Sequence, residues 1–284
     1  MALFTAAELQ ALTLGPVDRL GAALDGDGPD EPAVVVERFR RGAGRFIAGF
    51  VGFQQLLAEF LRDEQLPTDW QRSADHPAVP DAEAVLDHLR RGDAVAAVRE
   101  FERFVDETRA VHALERDRVA AALTAIYRDH GVAELERSLR YVGARTLLLW
   151  MPTDIARDPH TRLVTWANML VDNFAELTIE EYDDRFVLVQ APCGTCGRQV
   201  AEGKYDEPED FAVVTEVSPV TFGRGETPVY RTHVAVMHTL MPMERLGVPW
   251  PVIQCPAGLD AGPCRVHLFK DPMDLSALSL LSGH

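Results

Sequence analysis

The residues best equipped for chemistry are four cysteines, Cys193, Cys196, Cys255 and Cys264, all in the last third of the chain. Their spacing is C-x2-C, then 58 residues, then C-x8-C. The first pair sits in APCGTCGRQ, residues 191–199, with Gly194 and Gly197 beside the sulfurs. Two thiolates on one tight loop can reach one ion at about 2.3 Å, the usual bite of a zinc turn. The second pair is spaced too widely for a standard knuckle. It converges if Cys255 ends one strand, Cys264 starts the next, and the two strands form a hairpin. Cysteine clusters in a reducing compartment more often bind metal or catalyse than form disulfides. We therefore expect Cys193, Cys196, Cys255 and Cys264 to ligate zinc, although a free cysteine can also serve as a small buried hydrophobe. A redox dithiol of the thioredoxin kind needs a helix at the first cysteine to lower its pKa. Gly197, Gly203 and Pro208 argue against a helix after CGTC, so this reading ranks lower.

Histidines decide whether such a site is closed or open. Four thiolates on one zinc make a structural site, and an open position permits catalysis. His233 and His238 fall in YRTHVAVMHTLMPMERLG, residues 230–247, which reads as a helix flawed by Pro242. On an α-helix residues five apart point about 140° away from each other. Both therefore face one ion only if Pro242 distorts the turn. His233, sharing a face with Val236, Met237 and Leu240, is the candidate acid/base. His267, three residues after Cys264, is the other, and Arg198 is a candidate anchor for an anionic substrate group. Asn168 and Asp172 lie one turn apart on one helix face, and Trp166 and Asn173 fall on another. Such polar positions either line a pocket or form a solvated face. The glycine-containing stretch 221–228 reads as a lid or substrate loop.

The elements that must position these residues divide by texture. Residues 1–175 read as mainly helical and residues 176–284 as a smaller cysteine-containing α+β region, as two units or one continuous domain. Apolar spacing predicts long helices over residues 31–66, 96–131, 134–150 and 158–174. The first is open to a break at Gly42-Ala43-Gly44. Gly131 should stop the second, Pro152 the third, and Asp158 with Pro159 should start the fourth. Residues 177–191 read as a hairpin turned at Asp183-Asp184, and residues 249–255 and 264–270 as strands. Along the last of these, Cys264, Val266, Leu268 and Lys270 share one face and Arg265, His267 and Phe269 the other. The fold class is α+β, a helical N-terminal half packed on a smaller C-terminal sheet that carries a helix.

Composition narrows the function. The net charge of −16 argues against a nucleic-acid partner, which needs a basic face. No apolar run reaches the length of a membrane span, and the N-terminus lacks the basic region of a secretory signal. We expect a cytoplasmic protein whose partner is a small-molecule substrate, with a homo-oligomer left open. No G-x-S-x-G, H-E-x-x-H, G-x-G-x-x-G or phosphate-binding P-loop pattern is present.

The run from His233 to Phe269 resembles the last part of the L-2-amino-thiazoline-4-carboxylate hydrolase family and of 4-vinyl-reductase-type small-molecule domains. Leu246-Gly247, Cys255, and Gly262, Cys264 and Phe269 carry the likeness. The gap between Cys255 and Cys264 is shorter than in that pattern, and the C-x2-C at Cys193 is not part of it. The resemblance implies a helix-plus-sheet fold with a cysteine-lined small-molecule site. Three functions follow. The first is a zinc-dependent enzyme, hydrolase or lyase-like, acting on a small polar, nitrogen-containing substrate. The second is a non-catalytic ligand-binding or scaffold protein stapled by a four-cysteine zinc. The third is a metal-free enzyme with Cys193 as nucleophile.

Overall fold

A computed structural model describes residues 2–283. The helical part comprises α1 (Ala6–Thr13), α2 (Pro16–Asp25), α3 (Pro32–Asp63), α4 (Glu83–Arg90), α5 (Ala94–Arg145), α6 (Leu147–Ile155) and α7 (Pro159–Asp172). The C-terminal part holds β1 (Leu177–Glu181), β2 (Arg185–Gln190), the short α8 (Cys196–Ala201), β3 (Val213–Val214), β4 (Thr227–Pro228), a π-helix (Val234–Leu240), α9 (Met241–Leu246), β5 (Val252–Gln254) and β6 (Cys264–Phe269). The architecture is α+β, with the small sheet confined to the C-terminal part. None of the described helices is long and apolar enough to cross a membrane.

Helix starts follow local chemistry. Pro16, Pro32 and Pro159 occupy first-turn positions, where a missing N–H costs nothing. Asp158 accepts from the Thr161 amide at 2.9 Å and Asp93 from the Ala96 amide at 3.0 Å. Four expectations need correcting. α3 runs unbroken through Gly42-Ala43-Gly44, because Gly42 serves a close approach instead: a Cβ there would lie 1.9 Å from an Asp172 carboxylate oxygen. Gly131 leaves helical geometry (φ 81°, ψ −177°), but a new helical stretch continues at once to Arg145. The helix after it breaks at Thr146 (φ −130°, ψ −90°) rather than at Pro152, which sits inside α6. Finally, a helix does follow CGTC: α8 begins at Cys196 and lasts six residues before Gly203 turns the chain with positive φ.

The four-stranded sheet is antiparallel throughout, in the order β1-β2-β6-β5. Its register fixes the site. Gln190 pairs with Cys264 at the end of β2, so the 191–196 turn leaves the sheet beside Cys264. Gln254 pairs with Arg265, and one further step sets Cys255 opposite Cys264. One apolar core joins both parts of the chain, from Leu57 and Leu123 through Trp166 to Leu188 and Val266. A second cluster gathers Phe39, Phe101, Phe104 and Phe174 at the far end of the helices.

Candidate metal centre and cavity

The turn carrying the first cysteine pair is pressed onto the C-terminal end of α7. A Cβ at Gly194 would lie 1.5 Å from the Asn173 carbonyl oxygen, so only glycine fits. The Cys193 and Cys196 sulfurs are then 3.8 Å apart, and the Gly197 amide donates to Cys193 Sγ at 3.0 Å. The sulfurs of Cys193, Cys196 and Cys264 all lie within 4.8 Å of one another. Cys255 stands against Cys264 but outside this trio. All four are buried and unbridged.

The donor set fits zinc. A tetrahedral ion with bonds of about 2.3 Å separates its thiolates by about 3.8 Å along an edge, and that is the observed Cys193–Cys196 distance. The sulfurs also share charge in a way that suits a cation. Hydrogen bonds from the Cys196 and Cys264 thiols and the Gly197 amide hold Cys193 well below the usual thiol range. The hydrogen bond with Cys193 is the main cause that pushes Cys196 and Cys264 up, and burial adds to it. Arg231, almost fully buried, is the nearby cation. Burial opposes its charge, but Cys196, Cys255 and Cys264 outweigh burial and hold its pKa above the ordinary value. Its guanidinium donates to the carbonyls of Pro256 and Gly258 at 2.7 Å and of Asp260 at 3.0 Å. It thereby ties down the loop between Cys255 and Cys264.

These sulfurs line one end of a cavity of about 790 Å³, within the ~300–1,000 Å³ range typical of small-molecule pockets. His233 and His238 line it too. Their helix is not α. The Met241 amide bonds back to the Val236 carbonyl, five residues earlier, in π geometry. Pro242 has no N–H to offer the His238 carbonyl, which accepts from the Trp250 amide at 2.9 Å instead. The wider turn brings residues five apart onto one side, and the two imidazole centroids are 6.1 Å apart. The α-helical expectation that separated these histidines is thus corrected by the very distortion that Pro242 signalled. His233 Nδ1 donates to the Tyr230 carbonyl and His238 Nδ1 donates to the Trp250 carbonyl. In both rings Nε2 is left as the acceptor. Burial lowers the His233 pKa, and burial together with His233 takes His238 down to about 3, so both are neutral near pH 7.

The other two candidates lie elsewhere. His267 is on the opposite face of β6 from Cys264 and Val266, with Nε2 2.9 Å from Gln254 Oε1, and it does not line the cavity. Arg198 donates to the Phe174 carbonyl at 3.1 Å and reaches Glu176 at 3.4 Å, fastening α8 to the junction after α7. It too is outside the cavity lining. The alternation of strand side chains accounts for His267, and the direction of α8 for Arg198. The 221–228 stretch is likewise absent from the cavity wall.

Apart from Trp166, nothing in the sequence signalled the apolar side of the cavity. Phe46 and Phe50 on α3, Trp150 on α6, and Trp166 and Met169 on α7 form its apolar walls. Asp154, fully buried, accepts from Trp166 Nε1 at 3.1 Å, Trp250 Nε1 at 2.9 Å and Arg162 Nε at 2.9 Å, and so fixes Trp166 in the wall and Trp250 packed against it. Asn168 and Asp172 do line the cavity. Their spacing in an otherwise apolar helix was the available signal. Arg38 and Arg45 gave no signal, being two arginines among many. Comparison with protein-family models, with curated proteins and with solved structures finds no match for this chain.

Proposed function

We propose that this protein is a small-molecule enzyme that uses a thiolate-held zinc to hydrolyse or rearrange a small polar, nitrogen-containing substrate. The observation that carries the reading is that the four cysteines and His233 line one cavity. A purely structural zinc has no need of a cavity beside it. The compact trio of Cys193, Cys196 and Cys264 supports three firm ligands, with the fourth position shared between Cys255 and the cavity. Three protein ligands with one open position is the catalytic pattern. Zinc would supply a Lewis acid for a polarised substrate bond. His233, neutral and with Nε2 free to accept, is the group that takes up and returns a proton. Arg231 balances thiolate charge and keeps the Cys255 loop in place. The likeness of residues 233–269 to L-2-amino-thiazoline-4-carboxylate hydrolases and 4-vinyl-reductase-type domains is in keeping with a cysteine-lined small-molecule site. Four unbridged thiols support a reducing compartment, the cytoplasm.

The competing reading is a zinc that only staples β5, β6 and the CGTC turn together. The burial of all four sulfurs and the Arg231 clasp favour it. Metal analysis of protein purified without chelator, with thiol titration of the same sample, separates the two. The expected result is about one zinc per chain with one reactive thiol, and loss of the metal in Cys264→Ser. One zinc with every thiol protected until denaturation would transfer the assignment to the staple. Absence of metal would overturn both.

A further inference from the structure

The charged lining of the cavity is opposite in sign to the molecule as a whole. The chain carries a net −16, yet the charged residues lining the cavity, sulfurs aside, are Arg38, Arg45, Arg157 and a single acid, Asp172. Arg157 is engaged by Asp154 at 3.1 Å. Arg38 is engaged by Asp30 through one nitrogen at 2.6 Å, leaving the rest of its fork. Arg45 is exposed at the rim and has no hydrogen-bond or ion-pair partner among the described residues. Asp172 is 5% exposed and accepts no hydrogen bond from any described residue. It is surrounded by Arg19, Arg38 and Arg45, and burial still raises its carboxyl to about 7. Asp172 is thus the single acid on a lining with three arginines, and burial disfavours its charge, so the arginines are left with a net positive field. The same cavity has Phe46, Phe50, Trp150, Trp166 and Met169 as its apolar walls.

We infer that the cavity takes a small amphipathic carboxylate, its anionic group held by Arg45 and Arg38 and its apolar body lying along the aromatic walls. An arginine fork binds a carboxylate through paired N–H donors, and a cleft of one sign concentrates and orients the oppositely charged ligand. This revises the substrate of the enzyme proposed above, from a polar molecule to one with a carboxylate head on an apolar body, and rests on that cavity being the substrate site. It assigns to Arg45 and Arg38 the anion-anchoring role expected of Arg198.

The test is calorimetric titration of the full chain, as purified, with 4-phenylbutyrate, 4-phenylbutanol and 4-phenylbutylamine, three molecules with one apolar body and different heads. The carboxylate is expected to bind at least about tenfold more tightly than the alcohol and the amine. Arg45→Gln and Arg38→Gln should each erase most of that preference while leaving alcohol binding unchanged. Arg45 is exposed and unpartnered, so its variant has no reason to misfold. Equal affinity for acid and alcohol, stronger binding of the amine, no measurable binding of the acid, or an undiminished preference in both variants would overturn the inference. Metal analysis of the same as-purified sample keeps the two proposals apart. Preference retained in a protein with no zinc sinks the zinc enzyme and leaves the anion subsite standing. Zinc present with no head-group preference does the reverse.

Discussion

Removing the Asp154 carboxylate should unfold the aromatic wall of the cavity from behind. Asp154 is fully buried and gathers four donors: Arg157 at 3.1 Å, Arg162 at 2.9 Å, and the indoles of Trp166 and Trp250 at 3.1 and 2.9 Å. Arg162 is itself almost fully buried, and it also donates to the Phe269 carbonyl at 3.0 Å. In Asp154→Ala, Arg162 becomes a buried charge without a counter-ion, which costs about 3–5 kcal/mol. The two indole N–H groups lose their acceptor, at about 1–3 kcal/mol each where water cannot reach them. These losses share one site and do not add in full. The cavity can also hydrate part of the wall, so about 4–6 kcal/mol is the expected total. For a chain of this length that is a fall of about 10 °C in Tm. Asp154→Asn keeps one acceptor but turns an amide N–H toward Arg162 or an indole, and should lose nearly as much. Chemical denaturation monitored by tryptophan emission is the assay, because Trp150, Trp166 and Trp250 form one cluster with centroids 5.4–6.0 Å apart. Native emission should shift to the red in both variants. A loss below about 1 kcal/mol in Asp154→Ala, or wild-type stability in Asp154→Asn, would refute the claim that this carboxylate is the ionic hub of the wall.

Three further outcomes follow from named contacts. Asp172, raised from 3.8 to about 7 by burial against the pull of Arg19, Arg38 and Arg45, binds its proton more tightly folded than unfolded. Stability from this group is therefore intact below about pH 4 and declines as pH rises to about 7. Asp172→Asn should remove that decline and stabilise the protein at pH 8 by up to about 4 kcal/mol, as read from denaturation midpoints across pH. An unchanged pH profile would show that the carboxyl is solvated. Gly194→Ala drives a Cβ into the Asn173 carbonyl and should cost at least about 2 kcal/mol and displace the CGTC turn. Gly52→Ala, with open space at its Cβ inside α3, should instead stabilise by about 1 kcal/mol, and equal effects in the two alanine variants would discredit the close approach.

How much of this was legible in the sequence depends on how local the signal was. Asp158-Pro159 started a helix, Asp183-Asp184 turned a hairpin, and Pro242 announced a distorted helix, because caps, turns and a missing N–H act over a few residues. The cysteine pattern was equally local: C-x2-C on a glycine turn, and two cysteines flanking a connection between strands. Four features needed the fold. Register, not spacing, brought Cys264 to the 191–196 turn, since β2 pairs with a strand that follows it by some seventy residues. The sign of Pro242's effect on His238 depended on Trp250 taking the released carbonyl. The short α8 formed despite Gly197 because its first turn is anchored through Gly194 on Asn173 and Arg198 on Phe174. Arg38, Arg45, Phe50 and Trp150 joined the sulfurs only through packing of α3 and α6 against α7, and no periodicity encodes which distant surfaces enclose a common space. The sequence by itself thus determined the donor atoms and the elements that present them. The tertiary structure alone decided what faces those donors, because enclosure is a property of packed surfaces distant in the chain.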